Sequence, residues 1–168
     1  RQQNYSVRLF GVAEGAQSAV PDDAAGVVIV GPTEPFTQEE VDTLKRYVEG
    51  GGNLMVFLDI EKGGGTLAES QGGAQPLFKL IQDMGIRYNE VPMANDKPNG
   101  HVAASRSEAD HWFIFSNIFT SHDSVVALAR HDERVAVVVY QSGYLSVTPE
   151  LGNWKAFETV RTLSDTFA

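Results

Sequence analysis

Residues 27–59, VVIVGPTEPFTQEEVDTLKRYVEGGGNLMVFLD, read as one complete strand, loop, helix and strand. Val27, Val28, Ile29 and Val30 form a wholly apolar, β-branched run, the pattern of a strand buried on both faces of a parallel sheet. Gly31 and Pro32 stop it. Thr37 and Glu40 have the spacing of a capping box, in which the hydroxyl accepts from an orphan helical N–H and the carboxylate reaches back to the cap residue. The helix is therefore expected to start at Thr37. Val41, Leu44 and Val48 make one apolar stripe, while Glu39, Asp42, Lys45, Arg46 and Glu49 lie mostly off it. Gly50 to Gly52 close the helix, because glycine enters the left-handed region without a Cβ clash. Leu54 to Leu58 then give a second buried strand, ending at Asp59. Two apolar strands joined by an amphipathic helix are a βαβ unit, expected to be right-handed.

The bulk properties narrow what such a unit can belong to. A chain of 168 residues with 42% hydrophobic content is expected to form a single α/β domain over residues 1–168. A formal net charge of -9 argues against a nucleic-acid partner and against anionic membrane surfaces, since neutralising phosphates requires clustered Lys and Arg. The absence of cysteine removes thiol nucleophiles, disulfides, zinc–thiolate sites and iron–sulfur clusters together. No apolar run approaches the roughly 20 residues that span a bilayer. The chain opens on Arg1 rather than Met and reads as a fragment of a larger membrane-anchored protein, touching the membrane only through segments outside this sequence.

Outward from the central unit, Tyr5 to Phe10 has the alternation of a first strand. Glu61 to Ala74 is Gly- and Ser-rich and reads as a loop. Pro76 suits the first position of a helix carrying Leu77, Leu80, Ile81 and Met84, with Gly85 ending it. Ile86 to Tyr88 begins a short strand, and Glu90 to Asp110 is an irregular excursion. Trp112 to Phe115 reads as a strand or a buried anchor, and Ser121 or Asp123 as the cap of a short helix over Val125 to Ala129. Arg134 to Tyr140 is a strongly apolar strand, with Tyr144 to Val147 as its hairpin partner. Near the end, Trp154, Phe157 and Val160 have helical spacing, while Thr159 to Thr162 equally suits a closing edge strand. The strands near Tyr5–Phe10, Val27–Val30, Asn53–Leu58 and Val135–Tyr140 are expected to share one mainly parallel sheet, with the helices beginning at Thr37 and Pro76 packed on it.

Three segments taken together, VPDDAAGVVIVGPTEPFTQEEVDTLKRYVEGGGNLMVFLD, PLFKLIQDMGI and NIFTSHDSVVAL, resemble in order and spacing the soluble domain of GldG-like ABC-transporter auxiliary proteins. The resemblance lies in Gly31-Pro32 after a buried strand, the helix closed by Gly50 to Gly52, Asp59 at the next strand end, the Leu77, Leu80, Gly85 helix and the Phe119-Thr120-Ser121-His122 segment. It implies a three-layer α/β sandwich, flavodoxin-like or class I glutamine-amidotransferase-like, without amidotransferase chemistry. It also implies a domain outside the cytoplasm, on the periplasmic or cell-surface side. There it would work beside the membrane or ATPase subunits of an ABC transporter in gliding motility or export.

Open α/β sheets place ligands beyond the carboxyl ends of their strands. That makes Gly31, Pro32, Thr33, Asp59 and Glu61 the candidate edge for a ligand or partner, with Ser121 and His122 from the resembling segment beside them; an unidentified small molecule or glycan is the ligand class. Asp59 and Glu61 also have the chemistry of an acid–base pair or a hard-cation site. Of the four histidines, His101, His111, His122 and His131, the last three have acidic neighbours, in Asp110-His111, His122-Asp123 and His131-Asp132, but the four match no metal-ligand spacing. Ser121-His122-Asp123 holds the letters of a triad, yet adjacent residues cannot face one another across a fold. No nucleophile elbow, Walker loop or dinucleotide fingerprint follows any strand. No catalytic residue, metal or cofactor is assigned. Trp112, Phe113, Phe115 and Phe119 read as core or as a partner patch. A non-catalytic interaction module is the leading expectation. The alternative is a hydrolase or amidotransferase-like enzyme using strand-end carboxylates or a histidine.

Overall fold

A computed structural model describes residues 6–9, 19–32, 35–58 and 76–168. The chain clusters into two compact units, one of residues 1–58 and 74–80, the other of residues 59–73 and 81–168.

In the first unit, β1 (Val27–Val30) and β2 (Leu54–Phe57) pair in parallel, Val27 opposite Leu54 and Val30 opposite Phe57, with α1 (Gln38–Glu49) between them in sequence. Thr37 is the N-cap of α1 and both halves of the capping box form. Its hydroxyl accepts from the Glu40 N–H at 3.3 Å, and its own N–H donates to Glu40 Oε2 at 2.8 Å. Because that exchange satisfies two groups the helix itself leaves unbonded, Thr37→Ala is expected to cost about 1 kcal/mol. A thermal melt that does not shift would show the box to be without weight. Val41 and Leu44 are buried along the expected stripe, together with Ile29, Leu77 and Leu80 of the same unit, while Glu39, Asp42, Lys45, Arg46 and Glu49 line an open charged surface. Beyond Gly50, Gly51 takes φ +92, the left-handed turn-off expected of the glycine run. The Tyr47 hydroxyl donates to Ala24 O at 3.4 Å and Asn53 Nδ2 to Ala25 O at 3.1 Å, which ties the approach to β1 against the exit from α1.

The strands themselves are not buried on both faces. Ile29 is 8% exposed, but Val28 and Val30 are 59% and 72% exposed, and Met55 and Phe57 follow the same alternation. A continuous apolar run does not reveal which face is covered, and in a two-stranded ribbon only one is. Residues 6–9 contain no strand, and the rest of the expected first strand lies outside the described residues. So does the Glu61 to Ala74 loop.

α2 (Pro76–Asp83) begins on Pro76, as its fixed φ favours, and Gly85 leaves it with φ +86. The second unit then holds β3 (Ile86–Asn89), β4 (Ala94–Asn95), a 3₁₀ turn over Glu108–Trp112, β5 (Phe113–Ser116), β6 (Ile118–Phe119) and α3 (Val126–Ala129). After these come β7 (Val137–Tyr140), β8 (Tyr144–Val147), β9 (Glu150–Leu151), β10 (Trp154–Lys155), β11 (Val160–Arg161) and β12 (Thr166–Phe167). Every pair among them is antiparallel: β3 with β8, β4 with β12, β5 with β7, β6 with β11 and β9 with β10.

The expected three-layer sandwich with a mainly parallel sheet, flavodoxin-like or amidotransferase-like, is therefore corrected. Among the described residues there are six two-stranded sheets, and only β1–β2 is parallel. A parallel sheet needs a crossover of a dozen or more residues, usually a helix, between successive strands. After α2 the one α-helix is α3, four residues long, so the short strands that follow pair antiparallel. β7 accordingly joins β5 rather than β1 and β2. Nor is β8 the hairpin partner of β7. Gln141 turns the chain with φ 45, and Gly143 lets Asn89 O approach where a Cβ would stand, which lays β8 on β3. α3 has no side-chain cap from Ser121 or Asp123; His122 O accepts the Val125 and Val126 N–H groups instead. Of the two C-terminal alternatives the strand holds, as β11 against β6.

Candidate functional site

At the carboxyl end of the parallel pair, Gly31 is exposed with φ +49, and its N–H donates to Phe57 O at 2.9 Å, carrying the ladder one residue past β1. Pro32 follows, half-buried. Thr33, Asp59 and Glu61, the other expected members of this edge, lie outside the described residues. Next to it, Val28, Val30, Met55 and Phe57 form the uncovered face of the ribbon.

Ser121 and His122 belong to the second unit. The His122 ring lies 5.0 Å from that of Phe157, and its Nδ1 accepts from the Ser124 N–H at 3.3 Å with Ser124 Oγ 2.8 Å away. An atom that accepts from a backbone N–H carries no proton, so His122 is committed to a local turn and is not paired with Ser121 as a base with its nucleophile. The aromatic segment is partly core: Ile114 is buried, and Phe113 stacks on Tyr140 at 4.1 Å on the opposite side of β5. Val138 and Tyr140 leave that stacked side open to solvent.

A second polar grouping was not expected from residue spacing. Asn95 is fully buried on β4; its Nδ2 donates to Ser164 O at 3.2 Å and Thr166 Oγ1 at 3.0 Å, and its Oδ1 accepts from the Lys97 N–H at 3.0 Å. The Lys97-Pro98-Asn99-Gly100 turn then reverses the chain, closed by the Gly100 N–H on Lys97 O at 2.8 Å, and returns His101 to β4. There His101 Nδ1 lies 2.8 Å from Asn95 O. His111 Nδ1 is 2.8 Å from Asp96 Oδ1, and the two imidazole rings are 4.8 Å apart, tilted by 44°. The partner of His111 is thus Asp96, fifteen positions away, and not its neighbour Asp110. Proline and glycine in the turn were the one signal in the sequence that this return was possible.

Asp110, 2% exposed, takes its hydrogen bonds from a different set of groups. It accepts from Ser105 Oγ at 2.7 Å, from the Ser105 N–H at 2.9 Å and from the Arg106 N–H at 2.7 Å, and Arg106 holds φ 58 to reach it. The Ser105 hydroxyl bond is the largest influence and, with the backbone donors, outweighs desolvation, so the carboxyl is held below its ordinary value of 3.8. A lowered pKa means that the folded chain binds this proton less readily than the unfolded chain, so the stabilisation is present above the ordinary value and fades as pH falls through the folded one. Asp110→Asn, which turns an amide N–H toward the same donors, is expected to be less stable than the parent at neutral pH. The gap should narrow below pH 3.8. Urea midpoints measured on both sides of that value check it, and a gap independent of pH would remove the carboxylate from the account.

Among the described residues no three His, Asp or Glu side chains converge as a complete metal-ligand set. Likewise, no helix among them is long and apolar enough to cross a membrane.

Residues 1–129 match the model of a protein family described as an ABC-type uncharacterized transport system. The fold is similar to that of the solved mmIFT52 N-terminal domain, with a TM-score of 0.58 and 20% sequence identity over 83% of this chain. That match takes in 53% of the solved chain, about half its length, and at this identity the likeness is one of fold. No curated protein sequence matches significantly.

Proposed function

We propose, from the premise that this chain belongs to the family of auxiliary components of ABC-type transport systems, that it is the non-catalytic interaction domain of such a component. The match over residues 1–129 carries the reading, since it spans both β1–β2 with its helix and the segment through α3. In this reading the domain is GldG-like and sits outside the cytoplasm, on the periplasmic or cell-surface side of a membrane-anchored protein. It engages the membrane or ATPase subunits of a gliding-motility or export transporter. Gly31 and Pro32 at the β1 end, with Thr33, Asp59 and Glu61, form the partner edge, because a strand-end carboxylate contributes little to a core and can anchor a partner.

Affinity purification of the full-length protein from its native membrane tests this. Transport-system subunits are expected to co-purify, and Asp59→Ala in the full-length protein is expected to weaken that recovery while leaving the fold intact. Purification free of any ABC-type permease or ATPase subunit would overturn the association. Robust hydrolase turnover by the purified chain, lost in Asp59→Ala or His122→Ala, would overturn the non-catalytic part of the reading.

A further inference from the structure

We propose that His101 and His111 are the two protein ligands of a transition-metal site of the imidazole-binding class, with water completing the coordination. The reasoning starts from proton positions. A backbone carbonyl oxygen and a carboxylate can only accept, so the Nδ1 atoms facing Asn95 O and Asp96 Oδ1 must each carry a proton. In the neutral rings both Nε2 atoms then present a lone pair, and among the described residues neither has a hydrogen-bond partner. Metal-ligating histidines have this arrangement, one ring nitrogen donating to a carbonyl or carboxylate that fixes the tautomer and orients the other.

Distance supports the pairing. With metal–nitrogen bonds of about 2.0–2.1 Å and ligand angles between square-planar and tetrahedral, the centroids of two imidazoles on one ion lie about 4.5–5.2 Å apart. The observed separation is 4.8 Å. The two orienting groups come from consecutive residues, and Asn95 is held rigid by its three side-chain hydrogen bonds to Ser164, Thr166 and Lys97. The rings are therefore positioned before any ion arrives, which lowers the ordering cost of binding. Both are only half-buried, and a chain of net charge -9 attracts cations. Two nitrogen ligands with open positions suit Zn²⁺, Ni²⁺ or Cu²⁺ and not Mg²⁺ or Ca²⁺, which take oxygen. Sequence spacing offers no motif for this site because the Lys97 to Gly100 turn creates it.

The test is calorimetric titration of the metal-stripped, tag-free chain with zinc chloride, with the histidine ring signals followed by NMR. One ion per chain is expected, moving the ring signals of His101 and His111. Asp96→Asn should weaken binding about 10-fold, the lower end of what an outer-shell partner contributes. His101→Gln and His111→Gln should each weaken it further, and His122→Gln and His131→Gln should leave it unchanged. Circular dichroism establishes that each variant is folded, and should either ligand variant unfold, the NMR shifts of the parent chain decide. Absence of saturable binding, ring shifts confined to other histidines, or full affinity in the folded His101→Gln and His111→Gln variants would each reduce the pair to a simple ring contact.

Discussion

Leu44→Ala should lower the stability of the chain by about 2–5 kcal/mol, whereas Glu39→Ala, on the outer face of the same helix, should change it by no more than about 0.5 kcal/mol. Leu44 is 1% exposed and sits on the stripe that α1 turns inward with Val41. Truncation there removes apolar contact and leaves a cavity that a helix capped at Thr37 cannot readily close by shifting. Glu39 lies in the first turn, where it gains only the weak attraction of a carboxylate for the helix N-terminus. Urea denaturation of the two variants against the parent measures the difference. Equal losses would mean that α1 is rotated about its axis from the arrangement described.

Gly85→Ala should be comparably damaging, at about 2–5 kcal/mol, for a different reason. The residue holds φ +86, where an L side chain is strained, and a Cβ added to it would lie 2.7 Å from Thr148 O. Thr148 cannot retreat freely, because its N–H donates to Gly85 O at 2.7 Å. Backbone strain and overlap therefore add. Gly152, in the same unit, has φ +59 but no atom within 4 Å of an added Cβ, so Gly152→Ala isolates the strain alone at about 1–2 kcal/mol. Matching losses for the two variants would show that the close approach to Thr148 contributes nothing.

The parts of the fold that were legible are those whose causes are local. The capping box at Thr37 and Glu40, the Val41–Leu44 stripe, the left-handed glycine after α1, Pro76 at the head of α2 and Gly85 at its end all depend on residues within a turn or two of one another. The parallel joining of β1 and β2 was legible because a capped helix between two apolar strands allows few alternatives. Pairing beyond that was not. Val137 to Tyr140 has the composition of a central parallel strand, yet its partner is chosen by which segments the turns bring back. The turn after it, at Gln141 and Gly143, carries β8 onto β3 rather than back against β7. The candidate edge was legible only as a position at the end of β1, where Gly31 and Pro32 do lie. The grouping of His101 and His111 was hidden for the same reason as the β5–β7 pairing. Asp110 is the nearest acid to His111 in sequence, but three donors from Ser105 and Arg106 claim it, and Asp96 takes its place across a reversal of the chain.

The burial of Asn95 against Ser164 and Thr166 also sets an order on how the protein can be made. Asn95 and Thr166 are 71 residues apart, so on a ribosome adding about 5–20 residues per second the amide emerges several seconds before its partner exists. Through that interval β4 has no strand to pair with, and Ala94, buried opposite Phe167 in the finished fold, lacks its partner. The second unit therefore cannot close progressively from its amino-terminal side as translation proceeds. A premature stop codon between Asn95 and Thr166 would release a chain that contains β4 but leaves it an open edge, a substrate for chaperones and proteases rather than a shortened domain.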